Sequence, residues 1–272
     1  MARLFLLNHP DAEPGYHKRT IGSVNNLSWN ATISHWRKFI QRDGMYLDNG
    51  TPKSSSLCFW GEYEPYSQAT IIRKTKPKAI HTDLRPVQLL ASMPPKALNT
   101  DPYIYGCFRN ICCRRRAKYQ KGDILIFGTF QSGTIFEFDT VIVVKEIISC
   151  HRIPANDQYR LASIDPLINP PFDFVDGVVY SPEEKYYSFI PCLPQCDFKK
   201  AANLGFAKPF LDTNALFGQK AKHGSYGWSL ENIPMNNTQD MKRYWKSIVK
   251  AVEEAGFKEG ILVDKIGNEK IF

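Results

Sequence analysis

The sequence predicts an α+β fold, built on a curved or barrel-like, mostly antiparallel β-sheet flanked by helices. Segments with strand character outnumber segments with helical periodicity, and the strands cluster as hairpins instead of alternating with helices. We therefore expect no doubly wound parallel sheet. No linker or internal repeat divides the chain, so residues 1–272 are expected to form a single compact domain.

The elements of the N-terminal part are predicted from apolar runs and their spacing. An apolar run within residues 1–10 predicts a first strand. Ile33, Trp36 and Ile40 recur at helical spacing, which predicts a helix over residues 32–42. A turn-rich loop is expected over residues 49–56, followed by a buried strand over residues 57–61. The Pro- and Lys-rich residues 73–95 are expected to run irregularly over the surface.

A hairpin in the middle of the chain gives the strongest β signal. Residues 121–123 form a Lys-Gly-Asp turn before the apolar run 124–130, and residues 131–134 form a second turn before a longer run at 136–144. Two apolar runs separated by a short Gly-containing turn are typical of an antiparallel hairpin.

The C-terminal part is predicted to contain two strands and the longest helix. Residues 186–190 and 259–266 have strand character. Between them, Thr238 is a suitable N-cap and Gly256 a suitable C-terminal cap for a helix. An apolar stripe at helical spacing supports the helix, formed by Met241, Trp245, Ile248, Val252 and Ala255.

The bulk composition restricts the classes of partner. The 272 residues carry a formal net charge of +8, which favours a polyanion such as nucleic acid, although a basic protein without such a partner has the same composition. No apolar run reaches the length of a membrane span, so no membrane partner is expected. The seven cysteines show no disulfide-scaffold spacing, which predicts reduced thiols and a cytoplasmic location.

An acidic and aromatic segment at residues 59–67 is the first candidate site. Glu62 and Glu64 are two residues apart, so they lie on the same side of an extended segment and can bind a metal or divide acid and base roles. Trp60, Tyr63 and Tyr66 can instead stack on a base while a carboxylate accepts a hydrogen bond from its amino group. A surface loop anchored to the core by its aromatic residues is the third interpretation.

Two further segments complete the candidate site. Asp101 and Tyr103 lie in a second turn rich in aromatic residues, where capping the turn before Pro102 is the ordinary role of the aspartate. The basic segment that follows, with aromatic residues interleaved, is typical of a phosphate-contacting surface or of a plain solvated face. Its candidate ligand-binding residues are Arg109, Asn110, Arg114, Arg115 and Arg116.

Metal and cofactor chemistry receives little support from the sequence. Four residues could form a nuclease-like metal set if the fold brings them together, namely Glu62, Glu64, Asp139 and Lys145. Zinc is disfavoured because the candidate ligands lack paired-knuckle spacing, these being Cys107, Cys112, Cys113, His151, Cys192 and Cys196. The sequence contains no nucleophile elbow, Walker loop or dinucleotide fingerprint, and no cofactor is expected.

Residues 109–144 begin with the Arg109-Asn110 pair and further basic residues, continue with the Gly122-Asp123 turn and its strand, and end with the strand around residues 140–144. Together these features resemble part of a PUA-like fold of the EVE or ASCH kind. That resemblance implies a small curved barrel and a reader of nucleic acid or modified bases, with a flipped base stacked on aromatic side chains. The second strand departs from the pattern, since Phe138-Asp139-Thr140 stands where those families have a small, Gly-containing segment. Residues 59–67 and 99–106 are also similar to segments of uncharacterised bacterial proteins, which implies no activity.

Three hypotheses follow from the sequence. The first is a nucleic-acid-binding protein, reading a modified base in a bacterial or phage defence or modification setting. The second is an enzyme that acts on nucleic acid or a nucleotide, with Glu62 and Glu64 as the acid/base or metal pair. The third is a structural or protein-interaction role.

Overall fold

The computed structural model describes residues 2–8, 36–64, 79–81, 87–88, 104–105, 119–148, 174–195, 208–220, 222–224, 227–263 and 270–271. In chain order the strands are β1 Arg3–Asn8, β2 Trp36–Asp48, β3 Thr51–Glu64, β4 Ala79–His81, β5 Val87–Gln88, β6 Ile104–Tyr105, β7 Ile124–Phe130, β8 Ile135–Ile148, β9 Phe174–Gly177, β10 Ile190–Pro194, β11 Phe210–Asp212, β12 Lys222–Gly224, β13 Gly227–Pro234, β14 Lys258–Val263 and β15 Lys270–Ile271. The helices are α1 Thr213–Phe217 and α2 Thr238–Glu254.

The first sheet has eight strands in the order β12-β13-β1-β7-β8-β9-β6, with β11 paired to β8. Its pairings are antiparallel except between β1 and β7, which run parallel. The predicted hairpin of β7 and β8 is confirmed, and both strands are largely buried. Successive residues of each strand are buried, so both faces of the strand are covered, which explains why their sequences read as continuous apolar runs.

The second sheet closes on itself as a small antiparallel barrel. Strand β2 pairs with β3, β3 with β10, β10 with β14, and β14 with β2, so that four strands form a ring. The short strands β15, β4 and β5 extend this sheet outside the ring. The barrel-like, mostly antiparallel sheet expected from the sequence is therefore present.

The backbones of β14 and β2 approach each other closely where the ring closes. At the β14–β2 junction the register shifts between Gly260 and Leu262, which leaves Ile261 as the extra residue of a bulge. Gly44 lies opposite, and a Cβ there would collide with the carbonyl oxygen of Leu262 and approach a methyl carbon of Leu57 at 2.8 Å. Glycine at position 44 is thus a condition for closing the barrel.

The two sheets meet at β8 and the segment before β10. Val141 and Phe189 form an antiparallel bridge, with backbone hydrogen bonds of 2.9 Å in both directions. Phe189 also contacts the indole of Trp245, which brings α2 onto the same junction. The hydrophobic core cluster of the described residues spans both sheets and α2 and includes Leu4, Ile126, Phe138, Leu193 and Ile248.

The helix predicted over residues 32–42 is wrong, because residues 36–48 form strand β2. The loop predicted over residues 49–56 is also wrong beyond its first two positions. Asn49 and Gly50 have φ angles of 51° and 77°, which makes them a two-residue hairpin turn, and β3 begins at Thr51. Thirteen cross-strand pairs with β3 outweigh the helical spacing of three apolar residues.

Two predictions at the C-terminal end need smaller corrections. Helix α2 is confirmed with buried Trp245, Ile248 and Val252, but the N-cap is Asn237, whose side chain accepts a hydrogen bond from the backbone of Asp240. The strand predicted over residues 186–190 begins only at Ile190. Tyr186 and Tyr187, which precede it, place their rings against Trp245 of the helix instead.

The Lys-Gly-Asp turn holds the N-terminal strand β1 in place through hydrogen bonds, a contact that we call the Asp123 lock. Gly122 has a φ of 86°, a conformation that favours glycine. Asp123 is fully buried and its carboxylate accepts hydrogen bonds from the backbone of Arg3 and Gln120 and from the Arg3 guanidinium at 2.7 Å.

Within the described ranges, neither helix has the length and apolarity needed to cross a lipid bilayer.

Candidate functional site

Four of the predicted site residues lie on β3, at the end of the strand away from the Asn49-Gly50 turn. They are Trp60, Glu62, Tyr63 and Glu64, and the last three are placed by their backbone alone. The others lie outside the described residues, namely Tyr66, Asp101, Tyr103, Arg109, Asn110, Arg114, Arg115 and Arg116. A pocket shared by the acidic segment and the basic segment therefore stays a prediction.

The acidic pair lies within a paired strand instead of the loop allowed by the sequence. Glu62 is in register with Arg37 of β2 and with His81 of β4, and Glu64 is in register with Ala79. Glu62 is thus the cross-strand neighbour of an arginine on one side and of a histidine on the other. This backbone placement fits an ion-paired row as well as an acid–base pair.

Trp60 is half-buried and lies beside a buried lysine. The Lys208 ammonium is 4.8 Å from the centroid of the indole ring, in cation–π geometry. Trp60 also packs against the main hydrophobic cluster. The indole is therefore held in place from two sides, which fixes the orientation of its remaining surface.

The same lysine forms a buried ion pair with Asp139 of β8. Nζ of Lys208 is 3.2 Å from Oδ2 of Asp139, and the two side chains are only 4% and 2% exposed. Thr140 donates a further hydrogen bond from its hydroxyl to Oδ1 of Asp139 at 3.3 Å. Two charges so far from water are stable only with partners such as these, because desolvating each ion costs several kcal/mol.

A β-bulge positions Asp139. The β7–β8 register moves from Phe127↔Thr140 to Gly128↔Phe138, so Asp139 is the extra residue of β8. Gly128 makes this possible, since a Cβ there would collide with the carbonyl oxygen of Glu137 and lie 2.7 Å from Cα of Phe138. The bulge explains how an aspartate lies within an otherwise apolar strand.

The Lys208–Asp139–Trp60 group was not predicted, although part of it left a signal in the sequence. A glycine inside a strand pattern is typical of a bulge or a close backbone approach, and Gly128 is such a residue. Asp139 likewise interrupts an apolar run, which marks it as a buried charge in need of a partner. Nothing in the sequence identifies Lys208 as that partner.

The nuclease-like metal set is not assembled by β8. Asp139 and Lys145 are six positions apart on one strand, about 20 Å at the usual rise per residue. Lys145 is instead 3.3 Å from the buried carboxylate of Asp176. Across the part of the chain that the structure describes, no three His, Cys, Asp or Glu side chains gather to hold a metal ion.

A second polar group lies where β14 meets the segment before β10. The hydroxyl of Tyr187 donates a 2.6 Å hydrogen bond to Oε2 of Glu259. Burial raises the pKa of Glu259, an effect that this hydrogen bond partly opposes. Burial and the neighbouring carboxylate also raise the pKa of Tyr187. Because both groups favour their protonated forms, the pair can hold a proton at a pH where an exposed glutamate is ionised.

The two described cysteines of the barrel differ in oxidation state. Cys58 of β3 is disulfide-bonded, so the prediction of reduced cysteines is wrong at this position. Cys192 of β10 is a fully buried free thiol whose pKa is raised, mainly by burial. The other members of the disfavoured zinc set lie outside the described residues, being Cys107, Cys112, Cys113, His151 and Cys196.

No protein-family model, curated protein or solved structure gives a significant match to this chain.

Proposed function

We propose that this protein binds nucleic acid through the barrel end that carries Trp60, in the manner of a PUA-like reader of modified bases. The observation that carries the proposal is the closed four-stranded antiparallel barrel, which holds a half-buried indole on β3 next to the first sheet. Small β-barrels commonly use such strand faces to bind single-stranded nucleic acid by stacking bases on aromatic side chains.

The roles of the charged residues follow from their burial. Lys208 is neutralised by Asp139 and almost inaccessible, so it orients Trp60 and does not attract phosphates. Phosphate binding is assigned to the basic segment, with Arg109, Arg114, Arg115 and Arg116 as the contacts. The formal net charge of +8 supports this assignment because counterion release drives such binding.

The test is binding of labelled single- and double-stranded DNA and RNA at 50 and 200 mM salt, with Trp60→Ala and Arg115→Ala as variants. We expect affinity to fall as salt rises, and Arg115→Ala to lower the slope of log K against log salt by about 1. Trp60→Ala should cost about 1–3 kcal/mol of binding free energy through lost stacking. Lys185→Ala and Phe210→Ala are the matched controls, since each removes an exposed residue of the same class.

Because Trp60 also packs against the core, urea unfolding of Trp60→Phe and Trp60→Ala separates a binding loss from a folding loss. Trp60→Phe keeps an aromatic face and should retain most of the affinity. Absence of binding at 50 mM salt, or an affinity that does not fall between 50 and 200 mM salt, would exclude the proposal. Equal losses of affinity in the variants and their controls would exclude it too.

The alternative function is an enzyme acting on nucleic acid or a nucleotide. The placement of Glu62 in register with His81 and Arg37 favours it, because an acid and an imidazole on adjacent strands are a common pair for proton transfer. Glu62→Gln should then abolish turnover of an oligonucleotide while leaving its affinity unchanged. Unchanged turnover in Glu62→Gln, or no turnover by the native chain, would exclude this alternative.

A further inference from the structure

The exposed face of helix α2 carries a stripe of basic side chains. Lys242, Lys246 and Lys250 follow one another at intervals of four residues, and Arg243 lies beside them. All four are exposed, with side-chain exposures of 58% for Arg243 and 72% for Lys250. We call these four residues the α2 basic stripe.

The local ion pairs neutralise only one edge of the α2 basic stripe. Arg243 lies 3.4 Å from Asp240, and Lys250 lies 3.2 Å from Glu254 in an exposed pair. Lys242 and Lys246 form no ion pair with any described side chain. Two of the four positive charges, those of Lys242 and Lys246, are therefore not offset by an ion pair within the described residues.

The helix presents this stripe on a rigid support. Tyr244, Trp245, Ile248 and Val252 are buried on the opposite side. Trp245 alone makes edge-on contacts with three aromatic rings at 5.3–5.8 Å, those of Tyr186, Tyr187 and Phe189. Phe217 of α1 packs on Tyr244 at 5.0 Å. Ordering the helix therefore adds no entropy cost when a partner binds.

The spacing and composition of the stripe fit a nucleic-acid backbone better than a protein partner. At 1.5 Å per residue, Lys242, Lys246 and Lys250 span about 12 Å along the helix. One strand of duplex carries a phosphate about every 3.4 Å of axis, so a stripe of about 12 Å runs alongside about four phosphates and each lysine can contact a different one. Protein interfaces are depleted in lysine and centred on apolar or aromatic residues, and the exposed positions of α2 are polar throughout.

We propose that the α2 basic stripe is a phosphate-backbone contact surface, with Lys242 and Lys246 as its main contacts. The proposal rests on the nucleic-acid binding proposed above and adds a second contact, separate from the basic segment at residues 109–116. Its two acidic neighbours in the last turn, Glu253 and Glu254, limit the footprint to the part of the helix that ends at Lys250.

The test compares the Lys242→Ala/Lys246→Ala double variant with Lys185→Ala/Lys220→Ala, which removes the same charge from exposed positions elsewhere. Binding of labelled duplex and single-stranded DNA is measured between 50 and 200 mM salt. The stripe variant should lower the slope of log K against log salt by about 1.8 for duplex and about 1.4 for single strands. At 0.1 M salt its affinity should fall between about tenfold and a hundredfold.

The outcomes separate the two proposals. If the native chain binds with a salt-dependent affinity but the stripe variant behaves like the control pair, the contact surface is refuted and the nucleic-acid function stands. If the native chain shows no salt-dependent binding, both fail. Polyglutamate serves as a competitor, and competition as effective as that of unlabelled DNA at equal charge would refute a backbone-specific surface.

Discussion

The buried Lys208–Asp139 pair provides the sharpest test of the structure. Replacing Lys208 by Met keeps most of the side-chain volume but removes the ammonium 3.2 Å from the Asp139 carboxylate and 4.8 Å from the Trp60 indole. Removing one partner of a buried ion pair costs about 3–5 kcal/mol, because the other charge stays in a poorly solvated site. The lost cation–π contact is contained within that range, since both interactions use the same ammonium.

Urea unfolding measures this loss. For a chain of 272 residues the free energy of unfolding is expected to fall by about 3 kcal/mol per M urea, so the midpoint should fall by about 1–1.7 M. Lys250→Met is the matched control, because Lys250 forms an exposed pair with Glu254 that is worth about 0.5 kcal/mol or less. The double variant Asp139→Asn/Lys208→Met should recover part of the loss, since it leaves no uncompensated buried charge.

This role of the ion pair would be refuted if Lys208→Met and Lys250→Met lowered the midpoint equally. It would also be refuted if Asp139→Asn/Lys208→Met were less stable than Lys208→Met alone. Either result would mean that the carboxylate does not depend on the ammonium for its stability. The slope of the urea transition should stay the same in all variants, which shows that the change lies in the native state.

Three further predictions concern the backbone and the polar groups. Gly128→Ala should lower stability by several kcal/mol in urea unfolding, because its Cβ collides with the backbone at the bulge. Gly218→Ala is the control and should cost about 1–2 kcal/mol, because the space around it is open and only its φ of 64° must be accommodated. Equal losses in the two variants would contradict the bulge. Glu259 has a pKa raised above 4.5 in the folded chain, so its contribution to stability is full below pH 4.5 and is lost as pH rises through the raised pKa. Glu259→Gln should remove this decline of the unfolding free energy with pH, and an unchanged pH profile would contradict the prediction. Asp123→Asn should cost about 1.5–3 kcal/mol because it weakens the charge-assisted hydrogen bonds to Arg3, and a midpoint within error of the native one would show that the lock is dispensable.

The local elements could be predicted because their causes are local. The β7–β8 hairpin follows from two apolar runs separated by a short turn, and α2 follows from apolar spacing with Gly256 at its end. The Asn49-Gly50 turn is an equally local signal, and as a hairpin marker it is stronger than the helical spacing of Ile33, Trp36 and Ile40.

The candidate site was predicted only in part, for a physical reason. An aromatic and acidic cluster is visible in the sequence, so Trp60 and Glu62 could be named. The partners of Trp60 come from distant parts of the chain, since Asp139 belongs to β8 and Lys208 precedes β11. A charged residue within an apolar run indicates that a partner is needed, but the run does not identify that partner.

The sequence by itself determined the secondary elements with short-range signals, the basic character of the protein and its mostly antiparallel class. Tertiary structure alone decided the closure of β2, β3, β10 and β14 into a ring and the parallel pairing of β1 with β7. It also decided that the ammonium of Lys208 lies between a carboxylate and an indole. These features depend on contacts between segments far apart in the chain, whose free energy is gained only after the loops between them have closed, and no local pattern records that gain.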